Sequence, residues 1–67
     1  MAELEWKRLC VGYFYTDIGN THVRAIQCAE GWDLQFSEET ENRYRVRHVL
    51  CKTLEEAQAV AAAWKGF

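Results

Sequence analysis

The side chains in this sequence that could act on another molecule are sorted by type and spacing. His22 and His48 are the only histidines, and Cys10, Cys28 and Cys51 the only thiols. A Cys–His pair can make a nucleophile, but no local signature or spacing joins these residues. The cysteines are an odd set without a Cys-x-x-Cys pair, which fits neither a disulfide framework nor a zinc site. They read as reduced, mostly buried and poorly reactive. Glu55 and Glu56 are adjacent, so on a helix they point about 100° apart. They cannot share a proton-transfer task and suit a helix N-terminus instead. There is no glycine-rich phosphate cradle and no run with metal-ligand rhythm. A chain of 67 residues also has little room for a water-excluding pocket. The sequence therefore reads as non-enzymatic, with no catalytic residue, no metal and no cofactor.

The most specific pattern is cationic. Arg43, Arg45 and Arg47 alternate with Tyr44, Val46 and His48. In a strand, that period of two puts the guanidiniums on one face and the less charged set on the other. Arginine offers a planar fork that meets phosphate, carboxylate or a guanine edge with two parallel hydrogen bonds. Arg24 and Lys52 could extend the patch. Alternatively, the arginines pair across strands with Asp33 and nearby glutamates and carry no recognition at all.

Both readings depend on the elements that hold the arginines. Residues 43–50 form a strand that runs into a helix near residues 53–65. Thr53 starts that helix, with Glu56 in capping-box position. Leu54, Ala57, Val60, Ala61 and Trp64 make one apolar stripe at three- and four-residue spacing. Lys65-Gly66 supplies a basic residue and a glycine at its end. Upstream, residues 32–36 are an amphipathic strand with Trp32, Leu34 and Phe36 in and Asp33 and Gln35 out. Residues 37–42 are a polar hairpin loop. Residues 22–28 alternate without a clean apolar face, which suggests a bulge or an edge position. Residues 16–21 form a turn around Gly19-Asn20.

Residues 9–15, Leu-Cys-Val-Gly-Tyr-Phe-Tyr, read as the first strand, apolar on both faces. Gly12 at its centre suggests close approach by a bulky group such as Trp64. That parity puts Tyr13 and Tyr15 on the open face; the opposite parity stays open. Residues 1–8 either extend this strand or lie over the core edge. The fold class is thus α+β: a four-stranded antiparallel meander with one C-terminal helix packed on one face, residues 1–67 forming a single domain. The simplest arrangement lays the helix on one face and the arginines on the other, in water.

Residues 20–64 resemble the ethylene-response-factor type DNA-binding domain of plants and its prokaryotic relatives, the arm-site binding domains of tyrosine integrases. The match runs through His-Val-Arg-Ala-Ile at 22–26, Gly-Trp-Asp-Leu-Gln-Phe at 31–36, Arg-Tyr-Arg-Val-Arg-His-Val-Leu at 43–50 and the helix from Thr53 to Trp64. The resemblance implies a three-stranded sheet whose open face lies in the major groove. Arg24, Arg43, Arg45 and Arg47 would then be the contacts, with Trp32 beside them.

Charge sets a condition on that reading. Residues 22–52 balance Arg24, Arg43, Arg45, Arg47 and Lys52 against Glu30, Asp33, Glu38, Glu39 and Glu41. A neutral stretch must gather its positives on one face to bind DNA or RNA. The net charge of −2 gives no general attraction to nucleic acid or an anionic membrane. The second reading is a protein-binding module, regulator or inhibitor, acting on a larger protein or as a homodimer. A chain this short gains stability by burying an apolar face against a partner. No apolar run approaches a membrane span, and the charged N-terminus is not a secretory signal. A cytoplasmic location and no membrane partner are the expectation.

Overall fold

The computed structural model describes residues 4–67. It holds five strands and one helix: β1 (Lys7–Cys10), β2 (Tyr13–Ile18), β3 (Thr21–Cys28), β4 (Gly31–Glu39), β5 (Tyr44–Cys51) and α1 (Leu54–Ala62). The strands form one sheet in chain order, each antiparallel to its neighbour. This is the expected α+β meander with a C-terminal helix, but with five strands where the sequence suggested four.

The extra strand comes from residues 9–15, which fold as a hairpin and not as one strand. Val11 and Gly12 make its two-residue turn, and Gly12 sits at φ +76°, where a side chain is strained. A Cβ on Gly12 would meet Gln27, whose N–H donates to the Gly12 carbonyl at 2.8 Å. The close neighbour of Gly12 is thus Gln27 and not Trp64. The remaining turns are tighter than expected. β2 and β3 run into Gly19-Asn20, and β4 carries on through Glu39. β3 lies at the centre of the sheet and pairs without a bulge on either side. Its faces looked mixed because Val23 and Ala25 face the core while Ile26 sits on the other side.

One face of the sheet carries the core. Val23, Ala25, Leu34, Phe36 and Cys51 come from β3 to β5, and Ala57 and Ala61 from the helix. Only these two alanines of α1 are fully buried, and their size lets the helix lie close to the sheet. Leu54, Val60 and Trp64 flank the contact. Leu4 and Trp6 pack on the same core, and Thr16 Oγ1 donates to the Glu5 carbonyl at 2.9 Å. The chain before β1 therefore covers the area the helix does not reach, while Lys7 and Arg8 extend the strand. Residues 1–3 of the segment expected to do one or the other lie outside the described residues.

The helix start follows the capping rule. Thr53 Oγ1 accepts from the Glu56 N–H at 3.1 Å, and Glu56 Oε2 accepts from the Lys52 N–H at 3.3 Å. Its end does not reach Lys65-Gly66. The last helical residue is Ala62, with Ala63 as the cap. Trp64 then turns onto Phe36, ring over ring, with centroids 3.9 Å apart and planes 9° apart.

Two substitutions test this packing in chemical denaturation. Trp64→Ala removes the ring stacked on the fully buried Phe36 and should cost about 3–5 kcal/mol. Gly31 sits at φ +136°, and a Cβ there would come 2.3 Å from the Cys51 carbonyl. Gly31→Ala should therefore destabilise by about 1–3 kcal/mol although it adds one methyl group.

Candidate functional site: two surfaces that share a sheet

Register decides which side chains share a face, because residues directly opposite one another point the same way. On the helix side, Phe14, Ala25, Leu34 and Val49 form one row, and Thr16, Val23, Phe36 and Arg47 the next. On the helix-free side the rows are Tyr13–Ile26–Asp33–Leu50, Tyr15–Arg24–Gln35–His48 and Asp17–His22–Ser37–Val46.

These rows correct the expected placement of the arginines. Cys51 is buried and Val49 packs on the core, and Arg45 and Arg47 share their parity. Both therefore project on the helix side and not into water on the opposite face. Arg47 lies over the Trp64 ring with its Cζ 5.7 Å from the centroid, and Arg45 over Phe67 at 6.0 Å. Arg43 precedes β5 in the exposed turn, where Thr40 and Arg43 exchange backbone hydrogen bonds of 2.8 and 3.4 Å. Lys52 sits past the other end of β5, about 30 Å from Arg43 at strand rise. Arg24 alone of the five lies on the helix-free face, between Tyr15 and Gln35. Trp32 is on the helix side, partly buried, with its ring 5.9 Å from Phe14.

The cross-strand pairing considered for the arginines is not formed either. Among the described residues the acid–base contacts within ion-pair distance are His22 with Asp17 and His48 with Asp33. None involves Arg24, Arg43, Arg45, Arg47 or Lys52. Arg45 and Glu38 are opposite in register but do not pair. The edge of the sheet at β5 thus carries a row of cations beside the exposed parts of Trp64 and Phe67, with no carboxylate at ion-pair distance among the described residues. Under Arg47, the Trp64 Nε1 is buried with no hydrogen-bond partner among the described residues.

The helix-free face is polar along its middle and apolar on its flanks. Asp33 accepts from Gln35 Nε2 at 2.9 Å and lies 3.3 Å from His48 Nδ1. His48 is therefore an exposed histidine of this face. To one side lie Leu9, Tyr13, Tyr15 and Ile26; of these Leu9, Tyr13 and Tyr15 border a shallow depression of about 350 Å³ together with Asp17, His22 and Arg24. To the other lie Tyr44, Val46 and Leu50. Leu9, Leu50 and Tyr44 are each 60% exposed or more.

One row of this face has a composition that sequence spacing could not show. Asp17, His22 and Ser37 stand side by side on three strands, and His22 Nδ1 is 2.7 Å from Asp17 Oδ1. No hydrogen bond joins His22 to Ser37 among the described residues. The His22 and Asp17 side chains are 69% and 61% exposed. A serine nucleophile needs a hydrogen-bonded base and donors for an oxyanion, in a site that excludes water. This row has the residue types of such a site without its geometry.

No group of three or more His, Cys, Asp or Glu side chains among the described residues is placed to hold a metal. No helix among them is long and apolar enough to cross a membrane. The chain matches no family model, no curated protein and no solved structure.

The thiols are all free but differ in setting: Cys10 is exposed, Cys28 half-buried and Cys51 buried. The expectation that most are buried therefore holds only for Cys51. Burial, and then the nearby Glu56 charge, raise the Cys51 thiol above its ordinary value of 9.0. An aromatic disulfide reagent should label Cys10 first and Cys51 last, the latter at the rate at which the fold opens. The unfolded chain loses the Cys51 proton before the native chain does. The stability this thiol contributes is therefore whole at neutral pH and is lost as pH rises past 9.0, which denaturation at stepped pH will show.

Proposed function

We propose that this chain is a small non-enzymatic accessory protein that works by binding protein, and that a second copy of itself covers the helix-free face of the sheet. The observation that carries this reading is the uncovered apolar flanks of that face: Leu9, Tyr13 and Ile26 on one side, Val46 and Leu50 on the other.

The layout of the face supports a second copy in particular. A two-fold axis through the polar middle strip lays the β2–β3 flank of one copy on the β5 flank of the other. Such an interface is self-complementary, as two-fold symmetry requires. Arg24 and Lys7 bring positive charge to the face and Asp17 and Asp33 negative charge, so the two copies need not repel. Strands about 4.8 Å apart and 3.3 Å per residue give a flat footprint of roughly 500 Å². The accessible area is larger, near the roughly 800 Å² per partner of a standard interface.

A sheet-face mode of nucleic-acid binding requires the cations to share the open face. Here Arg24 is separated from Arg45 and Arg47 by the sheet itself, and the tyrosines stand beside Asp17 and Asp33. Protein is the better-matched partner for a face of that kind.

Leu50→Glu tests the reading. Leu50 is 60% exposed, so the charge should leave the isolated fold within about 0.5 kcal/mol of the parent. Sedimentation equilibrium should show the parent as a dimer and the variant as a monomer. A parent that stays monomeric at high concentration while fully folded would remove the second copy from this face.

A further inference from the structure

We propose that the outer edge of β5 is a docking site for an extended acidic segment of a partner protein. The segment adds to the sheet as a sixth strand and sets carboxylates, at alternate positions, beside Arg45 and Arg47. This edge adjoins the β5 flank of the helix-free face, but its backbone and charge contacts lie on the outer edge and the helix side, so the inference does not depend on how that face is covered.

The argument starts from hydrogen-bond alternation. Thr40 and Arg43 exchange both backbone hydrogen bonds across the β4–β5 turn. Along an antiparallel pair, hydrogen-bonded and non-bonded pairs alternate. The bonded pairs are then Glu38–Arg45, Phe36–Arg47, Leu34–Val49 and Trp32–Cys51. Arg45, Arg47, Val49 and Cys51 spend their backbone groups inward on β4. Tyr44, Val46, His48 and Leu50 turn theirs outward. β5 is the last strand of the sheet, and no backbone partner meets that side among the described residues.

The two edges of the sheet are not equivalent. β1 is four residues long, breaks register between Arg8 and Cys10 and so offers little template. β5 is eight residues long and keeps register with β4 throughout. A long, regular edge accepts a strand unless something blocks it.

What selects the strand is charge. A residue of the incoming segment opposite Arg45 or Arg47 occupies a non-bonded position, where Cα atoms approach to about 4.5 Å and side chains meet most closely. Neither guanidinium has a carboxylate at ion-pair distance among the described residues, and each is held over an aromatic ring. An aspartate or glutamate there meets a cation already positioned. Arg43 offers a third cation two residues further on. Residues between the acids fall on the other face beside Tyr44, Val46 and Leu50, so the best segment alternates acidic with apolar side chains. The same arginines disfavour a second β5 brought alongside, since like charges opposite one another repel.

The test uses the whole chain and labelled peptides matched to the eight residues of β5. One alternates glutamate with valine. A second is identical but N-methylated at alternate amides, so that it keeps its charge and loses strand pairing. A third replaces glutamate with lysine. Fluorescence anisotropy at low salt should show binding of the first alone. Arg45→Ala and Arg47→Ala should each weaken it about three- to fivefold, and added salt should weaken it further. Because these arginines also cover Trp64 and Phe67, the wild-type chain supplies an independent readout. On binding, the amides of Tyr44, Val46, His48 and Leu50 should gain protection from hydrogen exchange while those of β1 do not. Equal binding of the N-methylated peptide would mean charge attraction without strand addition and would overturn the proposal. So would no binding, or stronger binding of a single-stranded oligonucleotide through the same arginines. The dimer mass at saturating peptide keeps the two surfaces apart: loss of the dimer alone counts against the helix-free face, and loss of peptide binding alone against the β5 edge.

Discussion

The contact between Phe36 and Trp64 fixes how the two layers of this protein meet. The helix is short, and its two fully buried residues are alanines, which bring little apolar area of their own. Its hold on the sheet therefore depends on larger side chains around that close contact. Trp64, just past the helix, supplies the broadest one and lies flat on the most voluminous buried residue of the sheet. Phe67 meets the same indole edge-on, with centroids 5.1 Å apart. Aromatic contacts of this kind add about 0.5–1.5 kcal/mol beyond the area they bury. In a chain of this size that is a sizeable share of the net stability.

That contact also explains why the arginines lie where they do. A strand passing beside a buried Phe36 must give its inward positions to side chains that can cover the aromatic cluster. Val49 and Cys51 do so at the helix end of β5. Further along, beyond the helix, the same parity reaches the rim of the core, and Arg47 and Arg45 fill it. Arginine can serve there because its stem packs on apolar surface while its head stays wet. The cationic row is thus the outer border of the core layer, and its charges face the edge of the sheet.

The sequence showed the parts whose signal is local. The Thr53 and Glu56 cap, the alternation of Trp32, Leu34 and Phe36, and the Gly19-Asn20 turn each depend on a few adjacent residues, and each is present. What the sequence did not show was set at a distance. Residues 9–15 have strand composition throughout, and only the pairing of β1 with β2 makes Gly12 a turn. Arg43, Arg45 and Arg47 suggest a solvent-facing parity for that side of β5, but Val49 and Cys51, of the same parity, carry the stronger burial preference. The apolar stripe includes Trp64 and so suggests a helix that reaches Lys65-Gly66, but Trp64 reaches the core by leaving the helix. The row Asp17, His22 and Ser37 comes from three strands and has no trace in linear spacing.

Register also divides the aromatic residues in a way that matters for optical work. Trp6, Trp32 and Trp64 all pack on the core of the helix-covered layer, while Tyr13, Tyr15 and Tyr44 stand on the helix-free face. The division suits their chemistry, since a phenol tolerates a wet surface better than a broad apolar ring does. The molecule therefore carries two separate chromophore sets, one for each side of a single sheet. Indole emission reports the docking of the helix and the N-terminal segment. Phenol absorbance reports what happens on the opposite side. A change in one signal without the other tells an observer which side of the sheet has been disturbed, with no label added.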